Sequence, residues 1–341
     1  EIGFEPGLGN DAGKIVESLE QLRELMQAPD HELLKGFLSK IPMIFNIVTV
    51  SPHGYFGQQG VLGKPDTGGQ VVYVLDQVKA LEEEMLTSIK NSGINANPKI
   101  LILTRLIPNA EGTTCNKRLE KVFDTKNTYI LRVPFRNGNK NVTDNWISRF
   151  EMWPYLEDFA EDSYRELLAE FGEKPDLVIG NYSDGNMVAT LLSRKFKVTQ
   201  CNIAHALEKC KYLFSGLYWD KMDDDYHFSI QFTADLIAMN AANFILTSSY
   251  QEIAGTDEVI GQYESYLNFS MPGLYRVTGG INLFHPKFNI VSPGVNKKIF
   301  FPYTEKQSRI REIQKELNEL LFENIDDPET IGKLEDPKKT P

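Results

Sequence analysis

Seven short runs of aliphatic and β-branched residues recur along the chain with amphipathic stretches between them. They are PMIFNIVTV (42–50), KILILT (99–104), YILRV (129–133), DLVIG (176–180), QCNIA (200–204), NFILT (243–247) and KFNIVS (287–292). A strand that stays apolar on consecutive residues has both faces covered, and helices alternating with such strands are the natural covers. The pattern predicts an α/β fold: a doubly wound, mostly parallel sheet flanked by helices and joined by right-handed crossovers, as in Rossmann-like domains. With 341 residues, 41% of them hydrophobic, the chain can bury one large core or two smaller ones.

The stripe Val71, Val74, Leu75, Val78, Leu81 and Met85 predicts a helix that packs on the sheet. ESLEQLRELMQ (17–27) and EKQSRIREIQKELNELLF (305–322) read as further amphipathic helices with a solvated face, while NAEGTTCNK (109–117) and RNGNKNVTDN (136–145) read as surface loops. A net charge of −11 opposes general attraction to nucleic acid or anionic membrane. No window approaches the roughly 18 apolar residues of a membrane span, and the first residues form no signal peptide. Three cysteines, Cys115, Cys201 and Cys210, form neither a disulfide framework nor a zinc motif, so reduced thiols and a cytoplasmic location are expected. Glu1 in place of Met, and the turn-formers of KLEDPKKTP at the other end, are read as marks of a piece of a longer polypeptide.

In an open parallel sheet, ligands bind beyond the carboxyl ends of the strands, where loops and helix N-termini converge. The segments that follow the runs are SPHGYF, NYSDGN, AHALEKCKY, SSYQEIAG and SPGV, small, polar or aromatic, and fit to grip a hydroxyl-rich or phosphorylated molecule. Thr67-Gly68-Gly69-Gln70 opens the helix that carries the apolar stripe. Two glycines there let backbone N–H groups approach a diphosphate, or else simply make a tight entry into the helix. His53 and His205 stand at strand ends where an imidazole can reach the crevice, though either can also be a structural histidine. Arg149, among the large aromatics of WISRFEMWPYLEDF, is either a rigid fork for hydroxyl or carboxylate recognition or one half of a surface ion pair.

Other chemistries lack their residues. GVLGKP is not a P-loop, GLGNDAG is not a dinucleotide fingerprint, and SSYQE has no nucleophile elbow. Asp223-Asp224-Asp225 reads as a solvated loop, and no metal or other cofactor is expected. No pair of strand-end carboxylates stands at the spacing a double-displacement glycosidase uses.

SPHGYFGQQGVLGKPDTGGQVVYVLDQVKALE, ILRVPFR, ISRFEMWPYLEDF, PDLVIGNYSDGN, IAHALEKCKY, QFTADLIAMN, SSYQEIAG, GQYES, MPGLYRV and FNIVSPGV together resemble sucrose synthase, a family of retaining GT-B glycosyltransferases. The match runs through nearly the whole chain. DTGGQ alone would also fit a sucrose-phosphate synthase; SPHGYF with IAHALEK and GLYRV resembles the enzyme for unphosphorylated fructose.

The resemblance implies reversible transfer of glucose between a nucleoside diphosphate, UDP or ADP, and fructose, in a cleft between two Rossmann-like domains. It implies that residues 41–304 are the first of these, after a helical lead-in over 1–40, with 305–341 leading to a nucleotide-binding C-terminal domain absent from the sequence. By resemblance, Gly68, Gly69 and Gln70 approach the diphosphate, His53, Arg149 and Lys211 line the fructose pocket with Asn181 and Tyr182 beside them, and His205 lies over the glucosyl unit. His205, His53 and Arg149 are then the catalytic set. The partners implied are fructose or sucrose, the nucleotide sugar, the C-terminal domain and further copies of the protein. The chain alone is expected to be inactive. A sucrose-phosphate synthase-like transferase and a non-catalytic sugar-binding module are the alternatives.

Overall fold

Two helices lead into the sheet, α1 (Ala12–Gln27) and α2 (His31–Leu38). Asp11 caps the first, its carboxylate accepting from the Lys14 N–H at 3.0 Å. The computed structural model describes residues 11–38, 40–61, 63–203, 205, 218–247 and 273–277, all within the first of two units of the chain, Glu1–Val277. Lys211, the expected strand at 287–292, the expected helix at 305–322 and the loops at 248–255 and 292–295 lie outside the described residues.

Among the described residues, eight strands form one sheet. In chain order they are β1 (Asn46–Val50), β2 (Lys99–Leu106), β3 (Leu119–Lys121), β4 (Thr128–Pro134), β5 (Leu177–Asn181), β6 (Thr199–Ile203), β7 (Phe244–Thr247) and β8 (Gly273–Arg276). Their spatial order is β3-β4-β2-β1-β5-β6-β7-β8, and every pair is parallel except β3 with β4. Six of the expected runs are therefore strands of one parallel sheet. Two strands had no counterpart in the sequence reading: β3, and β8 within GLYRV.

The strands are apolar on consecutive residues because both faces are covered. Val48, Val50, Leu101, Leu103, Leu131 and Val133 pack on one side against α5 (Leu156–Phe171) and α6 (Tyr182–Phe196). Ile47, Ile100, Ile102, Ile130, Ile179 and Ile203 pack on the other against Val71, Val74 and Val78 of α3 (Gly69–Asn91). Each such side chain taken fully from water contributes about 1.5–3 kcal/mol. α7 (Phe228–Ala241) lies on α6 and adds Phe228, Phe232, Ala238 and Met239 to the buried set.

Charges are also built into this core. Glu82 of α3 is buried and accepts from the Lys126 and Asn127 N–H groups and the Thr128 hydroxyl, pinning the β3–β4 turn. Arg132 of β4, 1% exposed, donates to the Phe56 carbonyl at 2.8 and 3.2 Å, to the Lys117 carbonyl and to Glu120. Arg105, pushed down to about 10 by burial, donates to the carbonyls of Val142 and Asn145 at the end of α4 (Lys140–Asp144). The 136–145 segment, expected as a loop, thus holds a short helix. Asp223–Tyr226 is likewise a helical turn, in which Asp223 accepts from the Ser229 N–H at 2.7 Å and so secures the start of α7.

Candidate functional site

The chain order turns back between β1 and β5: β2 and β4 build outward on one side of β1, and β5, β6 and β7 on the other. At such a switch point the loops leaving adjacent carboxyl ends part and leave a crevice. His53 follows β1, Asn181 ends β5, Tyr182 begins α6 and His205 follows β6, so three neighbouring strands deliver the expected residues to one end of the sheet. The two imidazoles share that end.

They are linked through Tyr182. Its ring stacks on His205 at 4.4 Å with planes 11° apart, and meets His53 edge-on at 5.4 Å. Tyr73 of α3 closes on His205 from another side, edge-on at 4.6 Å. His205 Nε2 hydrogen-bonds Asn181 Oδ1 at 2.7 Å, and Asn181 Nδ2 donates to the Val50 carbonyl at 3.4 Å. Tyr182 (φ 61°), His205 (φ 51°) and Asp66 (φ 50°) all hold the left-handed backbone conformation that non-glycine residues rarely adopt. Such backbone clusters where side chains must be held in place.

His53 is 3% exposed, and its Nδ1 lies 2.8 and 2.9 Å from the two oxygens of Asp184, itself 4% exposed. Asp184 stands in the first turn of α6, where the helix dipole favours an anion. That turn lies close against β1: a Cβ on Gly185 would come within 2.7 Å of the Val50 carbonyl oxygen. Burial raises the Asp184 carboxyl, but the attraction and hydrogen bond of His53, with the charge of Arg149, outweigh it and hold the carboxyl below its ordinary range.

Arg149 reaches this neighbourhood on a short 3₁₀ turn, Arg149–Glu151. Its N–H donates to Asp66 Oδ2 at 3.0 Å, its guanidinium lies 5.1 Å over the Phe150 ring, and its Nη2 is 3.5 Å from Gln231 Oε1. Asp66 also shapes the loop after His53. Gly54 has φ 76°, and a Cβ there would overlap the Asp66 carbonyl, so glycine is required for that turn.

Gly68 and Gly69 are exposed at the start of α3, with nothing within 4 Å of where their Cβ atoms would stand. Gln70 differs from its neighbours: it is buried and donates to the Ser51 hydroxyl at the end of β1. Lys211 lies outside the described residues. Asp184, Asp66 and Tyr73 were not singled out in the sequence. For Asp184 the signal was an acid in the first helical turn after a strand, beside a strand that ends on a histidine.

Among the described residues, no group of three or more His, Cys, Asp or Glu side chains is placed to hold a metal ion. Cys115 and Cys201 are buried and free, the Cys201 thiol pushed up to about 12 by burial. No helix among the described residues is long and apolar enough to cross a membrane. A shallow depression at the opposite ends of β5 and β6, lined by Lys174, Asp176, Lys197 and Asn243, contains none of the expected residues.

The sheet and its switch point are those of a Rossmann-like domain, and the family match makes it a domain of the GT-B glycosyltransferase class. Residues 32–322 match the family described as the sucrose synthase first GT-B domain, and the chain belongs to the sucrose synthase family. It is 65% identical over 341 residues to a sucrose synthase of Melioribacter roseus, covering 100% of this chain and 43% of that protein. It is 62% identical over 344 residues to a sucrose synthase of Thermosynechococcus vestitus, covering 100% and 42%. Against sucrose synthase 4 of Oryza sativa subsp. japonica the identity is 58% over 339 residues, covering 99% and 42%. The chain thus spans less than half the length of these relatives.

Proposed function

We propose that this chain is the acceptor-side half of a retaining glycosyltransferase that interconverts sucrose plus a nucleoside diphosphate, UDP or ADP, with the nucleotide glucose plus fructose. The reading is supported above all by the convergence of His53, His205 and Arg149 on one crevice, beside a helix start left open by Gly68 and Gly69.

In this reading the N–H groups at the start of α3 meet the diphosphate, whose negative charge suits a helix N-terminus. Gln70 braces that start through Ser51. His205 lies against the glucosyl unit; His53, Arg149 and Lys211, with Asn181 and Tyr182, surround fructose. Transfer with retention proceeds on one face of the sugar. The leaving phosphate oxygen takes the proton of the incoming hydroxyl as the glycosidic bond forms, and surrounding dipoles stabilise the oxocarbenium-like centre. The domain over 41–304 works with a second, nucleotide-binding domain that closes on it and excludes water. We further propose a cytoplasmic homo-oligomer that needs no metal.

The test is sucrose cleavage with UDP and with ADP, in the full-length protein and in the 341-residue chain. Fructose release by the full-length protein, with little or none from the chain alone, is expected. A full-length protein that fails to cleave sucrose refutes the substrate; robust turnover by the chain refutes the division between halves.

A further inference from the structure

Both imidazoles are held by one four-residue turn. Asn181 at the end of β5 binds His205, and Asp184, three residues on, binds His53. Between them Tyr182 touches both rings. The turn can do this because β5 lies between β1 and β6, the strands that end near His53 and His205.

The two bonds differ in what they impose. A carboxylate only accepts, so the proton of neutral His53 sits on Nδ1, where both Asp184 oxygens are within 2.9 Å, and Nε2 keeps its lone pair. The amide of Asn181 donates through Nδ2 to the Val50 carbonyl, which turns Oδ1 toward His205. His205 therefore carries its proton on Nε2. Both Asp184 oxygens face His53 Nδ1, so the carboxylate acts through the imidazole.

We propose that the β5–α6 turn fixes His53 and His205 in opposite tautomers, and that Asp184 is a positioning residue that makes His53 Nε2 the nitrogen accepting a hydrogen bond from a fructose hydroxyl other than the reacting one. The role of Nε2 rests on the acceptor reading given above; the tautomers do not. The reacting hydroxyl gives its one hydrogen to the leaving phosphate oxygen, so the hydroxyl facing Nε2 is a different one, and an imidazole in the other tautomer would meet it with a donor in place of an acceptor.

The test uses the chain labelled with 15N-histidine and long-range 1H–15N correlation spectra at about pH 8, where imidazoles are mostly neutral. His53→Asn and His205→Asn identify the two signals. The expected result is Nδ1–H for His53 and Nε2–H for His205, with Asp184→Asn moving the His53 proton to Nε2 and leaving His205 unchanged. In the full-length protein the same substitution should raise KM for fructose at least about tenfold while kcat changes less than about threefold, the signature of lost binding to a hydroxyl that does not react. A His53 already protonated on Nε2, a His205 protonated on Nδ1, an Asp184→Asn protein that keeps Nδ1–H on His53, or a KM for fructose within about threefold of the parent's overturns the proposal. The spectra need neither sugar nor nucleotide. An enzyme that ignored fructose would therefore refute the acceptor reading while the tautomers stood or fell on their own.

Discussion

Tyr182 begins α6 at φ 61°, a left-handed conformation that an L-residue with a large ring adopts only under constraint. Replacing it with glycine and, separately, with alanine removes the same ring and leaves a backbone difference to be read. In an ordinary helix alanine is the better residue by about 0.5–1 kcal/mol, because glycine loses more freedom on folding. At this φ an L-residue is penalised by about 1–2 kcal/mol and glycine is not. Subtracting the first from the second leaves Tyr182→Gly more stable than Tyr182→Ala by about 1 kcal/mol, a reversal of the usual order. Urea unfolding of the two variants measures the difference as a shift in midpoint at equal slope. Should the alanine variant equal or exceed the glycine variant, the strained backbone at the site entrance is not a property of the folded chain.

Two further outcomes test the buried charges. Arg132→Met removes the guanidinium from the Phe56 carbonyl and from Glu120, leaving the first with the Cys115 thiol and the second with the Gln58 amide, so stability should fall by about 3–5 kcal/mol in chemical denaturation; a loss under about 1 kcal/mol would contradict the role given to this arginine. Asp184 has a folded carboxyl held below its unfolded range, so its contribution is complete above about pH 4 and disappears as pH falls through the folded value. Asp184→Asn should accordingly be less stable than the parent at neutral pH, with the gap closing on acidification below about pH 4. Unfolding midpoints across that range decide it, and a gap independent of pH would refute the assignment.

What could be read from the sequence followed the burial of whole strands. β1, β2, β4, β5 and β6 announce themselves because both faces are covered and consecutive residues are apolar. β3 and β8 do not: Leu119 and Lys121 are exposed in one, and Gly273, Tyr275 and Arg276 in the other, so neither has an apolar run to read. The site divided in the same way. Glycine and histidine at strand ends are visible in the chain because the fold class fixes where strand ends point. Asp184 was hidden, since its meaning depends on a histidine 131 positions away. Glu82 and Arg132 were hidden for the same reason: a charge looks solvent-facing until its partner across the fold is known.

The Phe56 carbonyl, three residues past His53, accepts from two nitrogens of Arg132 and from the Cys115 thiol, all belonging to segments beyond β1. The peptide beneath one wall of the crevice is thereby immobilised when the sheet forms, long before any sugar arrives. Association on that wall should behave like insertion into a rigid socket, its entropic penalty carried mainly by the rotors of the guest.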